Sequence, residues 1–176
     1  MEIRTATPAE FDDVMAVERA AFGQDDEAEL VEALLGDPSA QPSLSLLAIE
    51  DGRAIGHVLF TNAQLENATR SVSAVILAPL AVVPEAQGRG VGGRLIEVGI
   101  ERLERSGTDL VFVLGDPGYY TRHGFAPAMP HGLAAPYDVS PEEAWMVQAL
   151  RPGLLGTVKG PLRCADVMDR PEYWRE

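Results

Sequence analysis

The stretch that most restricts how this chain can fold is residues 80–94, LAVVPEAQGRGVGGR: an apolar run, a proline, then four glycines within six positions. Glycine loses more backbone freedom on folding than any other residue, so a cluster of them directly before a helix-like segment needs a reason. The first turn of a helix carries N–H groups with no partner inside the helix, together with the positive end of the helix dipole. A strand ending at Val83, a loop PEAQGRG and a helix starting near Val91 would converge those donors on one point. Glycines leave no Cβ there to hold an anion away. The pattern predicts a phosphate or pyrophosphate cradle, with Arg89 and Arg94 adding positive charge. A glycine turn serving only close helix–sheet packing is the alternative.

That positive charge would be a local exception. The 176 residues carry 27 Asp plus Glu against 14 Lys plus Arg, a net charge of -13. Such a surface repels phosphate backbones and anionic lipid, which argues against nucleic-acid and membrane partners and favours a cationic or neutral substrate. Lys159 is the only lysine, and no G-x-x-x-x-G-K-[ST] occurs, so lysine Schiff-base chemistry and a P-loop are disfavoured. Three scattered histidines and one cysteine, Cys164, lack metal-ligand spacing, so no metal is expected. A single cysteine also fits a reducing compartment. The opening MEIRTATPAEFDD is acidic and has no apolar core of a signal peptide, which makes a cytoplasmic location the expectation. The length suits one domain over 1–176.

Along the chain, EIRTAT reads as a short strand, and TPAE as a helix start with Thr7 as cap, Pro8 in the first turn and Glu10 completing a capping box. That helix should end near Gly23, and a second should cover Glu27 to Leu35. Two β-type runs flank Asp51-Gly52, a hairpin signal. SVSAVILAPLAVV alternates early and is apolar on both faces late, as a central strand would be; Pro79 inside it marks a bulge or a break in pairing. A helix over Gly92–Ser106, a buried strand DLVFVLGD, a helical turn in PGYYTRHGF and a strand in EEAWMVQAL follow, with GTVKG a candidate for another. The tail RCADVMDRPEYWRE shows no assignable pattern. The order predicts one mixed sheet with helices on both faces.

Two phosphate-binding readings compete. Gly88, Gly90 and Gly93 satisfy the dinucleotide fingerprint G-x-G-x-x-G, but four residues separate it from the strand and an antiparallel hairpin precedes it, against a Rossmann fold. Gln87, Gly90 and Gly92 instead form Q-x-x-G-x-G after LAVVP, which resembles the acyl-CoA motif of the Gcn5-related N-acetyltransferase (GNAT) superfamily. LGDPGYYTRHGF resembles the family's second motif, a strand followed by F-Y-x-x-x-G-F, and IRTATPAEFDDVMAVERAAF resembles its opening strand and helix. The likeness runs in order over residues 1–127 and is greatest to the bacterial YhbS-like branch.

The resemblance implies an α/β (α+β) acyl-CoA N-acyltransferase fold: a mixed, mostly antiparallel sheet with a splayed pair of parallel strands. It implies acetyl-CoA as acyl donor and an amine of a small molecule or peptide as acceptor, in direct transfer. A homodimer stays open. Carried over by position, backbone groups of Leu80, Ala81, Val82 and Val83 would pair with the pantetheine arm. The N–H groups of Gln87, Gly88, Arg89, Gly90, Val91, Gly92 and Gly93 would hold the pyrophosphate. Tyr120 would protonate the leaving thiolate, as a phenol with an unperturbed pKa near 10 can at neutral pH. Tyr119 is chemically equal, and only the family alignment separates the two. Asp116, Glu85, His123 or a water chain remain as base, with Asp116 at the strand end facing the slot. GDPG stands where the family often has asparagine, and the C-terminal third, where acceptor specificity usually lies, shows no readable pattern. A non-catalytic acyl-CoA-binding module is the other reading of the same cradle.

Overall fold

The computed structural model describes residues 1–66 and 70–175. Strand β1 (Glu2–Thr5) leads through a 3-10 turn at Pro8–Glu10 into α1 (Phe11–Phe22). The Thr7 N–H donates to Glu10 Oε1 at 2.9 Å, as a capping box requires. Gly23, at φ 66°, ends α1 in the left-handed conformation that a side chain would resist. Helix α2 (Asp26–Leu35) buries Ala28, Val31 and Leu34. The hairpin of β2 (Leu44–Glu50) and β3 (Arg53–Leu65) turns on Asp51 and Gly52, both at positive φ.

Strand β4 (Ala74–Val82) then precedes α3 (Val91–Arg105), and β5 (Leu110–Leu114) precedes the short α4 (Pro117–Tyr120). Two-residue strands β6 (Ala126–Pro127) and β7 (Leu133–Ala134) follow, then β8 (Trp145–Ala149) and β9 (Gly160–Arg163). The strand sought in GTVKG thus starts only at its last residue, Gly160; Val158 before it makes one isolated bridge with Leu155.

The main sheet runs β1-β2-β3-β4-β5-β8-β6. Among the strands of the described residues, only β4–β5 and β7–β9 are parallel, which removes the Rossmann alternative and bears out the mixed, mostly antiparallel sheet. Adjacent residues point to opposite faces of a strand. Leu47, Leu59 and Ile76 therefore meet α1 and α2, while their neighbours Leu46, Val58 and Leu77 meet Leu95, Ile96 and Leu103 of α3. The tail, unreadable in sequence, is docked on the first of these layers. Trp174 is buried edge-on to Trp145 at 5.5 Å, with its Nε1 donating to the Met168 carbonyl. The Val167 N–H donates to Asp37 Oδ2 and the Asp166 N–H to Ser39 Oγ, fastening the tail to the connection after α2.

Candidate active site

The site begins where β4 and β5 part. Their ladder joins Ala74 to Leu110 through Leu77 to Val113 and stops. Opposite β3, Val58 pairs with Leu80 and Phe60 with Leu77, so β4 uses three steps where β3 uses two. Ala78 and Pro79 form the bulge that this difference requires, because proline has no N–H for the ladder. Beyond it β4 continues along β3 while β5 ends, and the gap between them is lined by bare backbone.

Sheet alternation decides which groups face that gap. The Val83 N–H donates to the Ile55 carbonyl at 3.0 Å. In an antiparallel pair, successive residues direct their N–H and C=O to opposite sides. Val83 and Ala81 therefore serve β3, and Leu80 and Val82 face the gap. Of the four residues expected there, two turn backbone to the gap: Leu80, and Val82 through its N–H, since its carbonyl accepts from the Gln87 side chain.

The glycine loop continues from this edge. A 3-10 turn at Pro84–Ala86 takes the Gln87 N–H to the Pro84 carbonyl, and the Gln87 side chain donates to the Val82 carbonyl at 3.0 Å. Gln87 thus orders the turn, and the free donors start one residue later. Gly88 and Gly90 lie at φ 76° and 80°, where a Cβ would be strained. Among the described residues, no protein oxygen accepts from the N–H groups of Gly88 through Gly93; the first bond of α3 runs from the Arg94 N–H to the Gly90 carbonyl. A Cβ on Gly92 would lie 2.6 Å from the Tyr119 hydroxyl, and one on Gly93 2.8 Å from His123 Cε1. Bare backbone and unpaired donors at a helix start fit a diphosphate.

The charge beside the cradle differs from the expectation. Arg89 is bound to Glu50 at 2.6 Å and Arg94 to Glu97 at 3.0 Å. Arg122 has no carboxylate partner among the described residues: it stacks over the Tyr119 ring at 5.3 Å and shares with Gly90, Gly93 and His123 a groove along the outer face of α3. Its signal in the sequence was weak, a lone arginine inside the second motif.

The two tyrosines separate clearly. Tyr119 stands over the first turn of α3, packed on His123 at 4.9 Å. Tyr120 turns to the gap, on the wall of a cleft of about 640 Å³ with Ala78, Pro79, Leu80 and Leu114. Its ring rests on Gly115 and meets Tyr119 and Phe125 edge-on, at 5.0 and 5.7 Å. Burial pushes the Tyr120 phenol well above its ordinary value, so it remains protonated at neutral pH.

None of the named base candidates lines that cleft. Asp116 caps α4, its Oδ1 accepting the Gly118 N–H at 3.0 Å, with its side chain exposed. Glu85 is paired with Arg53, and His123 belongs to the groove beside the cradle. The carboxylates that do line the cleft are Asp26, Glu27 and Glu29 from α2 and Glu172 from the tail. Sequence reasoning missed them. Glu27 was detectable in principle, since it shares a helical face with Val31 and Leu34.

Behind this wall lies a buried polar chain. His57 Nδ1 is 2.6 Å from Glu18 Oε2, and its Nε2 2.8 Å from Ser45 Oγ; both Glu18 and His57 are fully buried. Burial raises the Glu18 pKa, His57 opposes the shift, and the charge of Glu27 adds to it.

Comparison with known proteins agrees with this geometry. The family model of an acetyltransferase (GNAT) domain matches residues 2–128. The chain is 52% identical over 158 residues to the uncharacterized N-acetyltransferase YjhQ of Escherichia coli (strain K12), covering 88% of this chain and 86% of YjhQ. It is 34% identical over 161 residues to the uncharacterized N-acetyltransferase YhbS of the same organism, covering 91% and 93%. The crystal structure of YhbS from Escherichia coli in complex with CoA superposes with a TM-score of 0.88 at 32% identity, over 96% of this chain and 92% of that one. A GNAT family acetyltransferase from Brucella melitensis in complex with acetyl-CoA gives 0.74 at 29%, over 96% and 97%. With its strands splayed at the bulge and free amides before α3, this chain belongs to the GNAT acetyltransferase superfamily, in its YhbS-like branch.

Proposed function

We propose that this chain moves an acetyl group from acetyl-CoA to the amine of a small molecule or peptide, by direct attack in a ternary complex. The observation that carries the reading is continuity: the outward backbone of Leu80 and Val82 runs into the unpaired amides of Gly88–Gly93, and Tyr120 stands at the other end of the same gap. The CoA complex of YhbS and the acetyl-CoA complex of the Brucella melitensis GNAT family acetyltransferase support the donor.

Acetyl-CoA supplies an activated thioester. The amides of Gly88–Gly93 and the start of α3 hold its diphosphate, with Arg122 alongside. Leu80 and the Val82 N–H bind the pantetheine arm as an added strand would. The Leu80 N–H, next to the bulge, is placed for charge developing on the carbonyl oxygen; one such donor contributes about 3 kcal/mol. Tyr120 gives its proton to the departing sulfur. The non-catalytic binding module is the competing outcome, and one assay separates the two. Free CoA thiol is followed with a panel of amines, and acetyl-CoA binding by calorimetry. The transferase reading expects amine-dependent thiol release, and Tyr120→Phe should lose about 10²-fold in kcat with the Kd for acetyl-CoA unchanged. Binding without turnover on any amine refutes it.

A further inference from the structure

We propose, resting on the transferase reading above, that Glu27 is the general base and that the acceptor is an organic amine carrying more than one positive charge. An amine is protonated at neutral pH and must lose a proton before it can attack a carbonyl. The bulged strand offers no carboxylate for this: its residues around the gap are Ala78, Pro79, Leu80 and Val82. Across the same cleft stands the first turn of α2.

The helix face selects among its carboxylates. Ala28, Val31 and Leu34 are buried, and Glu27 lies one and two turns before Val31 and Leu34 on that inward face. Glu27 is half-buried, whereas Asp26, Glu29 and Glu172 are exposed around the rim. Both its oxygens accept from Gln24 Nε2, at 3.0 and 3.2 Å, which fixes its rotamer. From α1, buried Glu18 presents like charge behind it. From α4 comes Tyr120, and from the tail come Glu172, Tyr173 and, as the one cation among the described residues of the wall, Arg175. A base and an acid thus face each other across the cleft that holds the bulge.

The rim names the acceptor class. Among the described residues, four carboxylates stand against one guanidinium, which favours a cation. Phe22 and Tyr173, 41% and 36% exposed, both border the cleft, and aromatic faces suit an alkylammonium chain. The proton balance closes as follows. The acceptor ammonium gives one proton to Glu27; its nitrogen then bonds the acetyl carbon as the carbon–sulfur bond breaks. Sulfur takes the Tyr120 proton, the second nitrogen proton restores the phenol, and Glu27 releases its proton to water.

The test uses spermidine and n-butylamine as probes with the full chain. Glu27→Gln keeps an amide oxygen for Gln24. Its kcat with spermidine should fall about 10²-fold or more at pH 7, then climb about tenfold per pH unit towards the pKa of the amine, with acetyl-CoA Kd and melting temperature unchanged. Asp26→Asn and Glu172→Gln should raise KM for spermidine more than for n-butylamine. A Glu27→Gln enzyme within threefold of wild type, or depressed equally at every pH, overturns the base. Equal wild-type kcat/KM for the two amines overturns the charge selection. Acetyl-CoA binding with no turnover of either probe, or of any amine in the wider panel, defeats the transferase reading itself and takes this inference with it.

Discussion

Gly115→Ala tests whether the position of Tyr120, and not its mere presence, sustains turnover. An ideal Cβ on Gly115 lies 2.4 Å from Tyr120 Cε2 and 2.9 Å from Cδ2. Carbon atoms in ordinary contact are roughly 3.5–4.0 Å apart, so the ring must retreat by about 1 Å. Its way out is blocked by Tyr119 and by Phe125, which is 2% exposed. The backbone of Gly115 has no positive φ, so alanine adds little strain there beyond this contact. Overpacking of this kind costs about 1–3 kcal/mol of stability. A 1 Å misplacement of a reacting group can cost about 10²-fold in rate. Gly115→Ala should therefore lower kcat by about that factor and leave acetyl-CoA binding intact, because the Gly88–Gly93 amides are not touched.

The cycle with Tyr120→Phe supplies the control. If Gly115→Ala acts through the phenol, the double variant should be no slower than the slower single variant, since a hydroxyl already removed cannot be misplaced. The measurements are thiol release at saturating acetyl-CoA for the four proteins, and melting temperature for each. A Gly115→Ala protein with wild-type kcat, or a double variant whose losses multiply, refutes the assignment of Tyr120 as the positioned acid.

Two further outcomes follow from buried ionisable groups. Burial raises the Tyr120 phenol, so its neutral, proton-donating form persists to higher pH than a free tyrosine with a pKa near 10; kcat should show no tyrosine-linked fall between about pH 8 and 10, and a limb in that window that disappears in Tyr120→Phe would contradict this. Glu18→Met or His57→Leu alone should each cost about 3–5 kcal/mol in urea unfolding because one buried partner is stranded, while the double variant should cost much less than their sum; additive losses would show that the 2.6 Å contact is not a coupled pair.

The parts of the fold legible in the sequence were those fixed by local chemistry. Asp51-Gly52, the Thr7–Glu10 cap and the Gly23 stop each act within a few residues, and each appears where the pattern put it. Pro79 announced the bulge because a missing donor is a property of the residue itself. Less legible was anything set by a distant partner. Alternation along β4 allots Leu80 and Val82 to the gap and Ala81 and Val83 to β3, but the phase is fixed by the bond to Ile55, which no local pattern states. Arg89 likewise reads as a phosphate ligand until Glu50, 39 positions away, is seen to hold it.

The base shows the same limit from the other side. Sequence reasoning sought it near the motifs, at Asp116, because chemistry and motif residues usually fall together. The structure places an Asx cap there and puts carboxylates opposite, on α2 and on a tail docked by Trp174. A carboxylate at 27, in step with Val31 and Leu34, is costly on a face that packs on a sheet unless that part of the face meets water. Here it does, because β4 and β5 have separated at the bulge and left a cleft beside the start of α2. The polar residue on the apolar stripe and the proline in the strand are therefore two local irregularities with one cause, the opening of the sheet. Neither explains itself alone, and together they mark the cleft proposed for the acceptor.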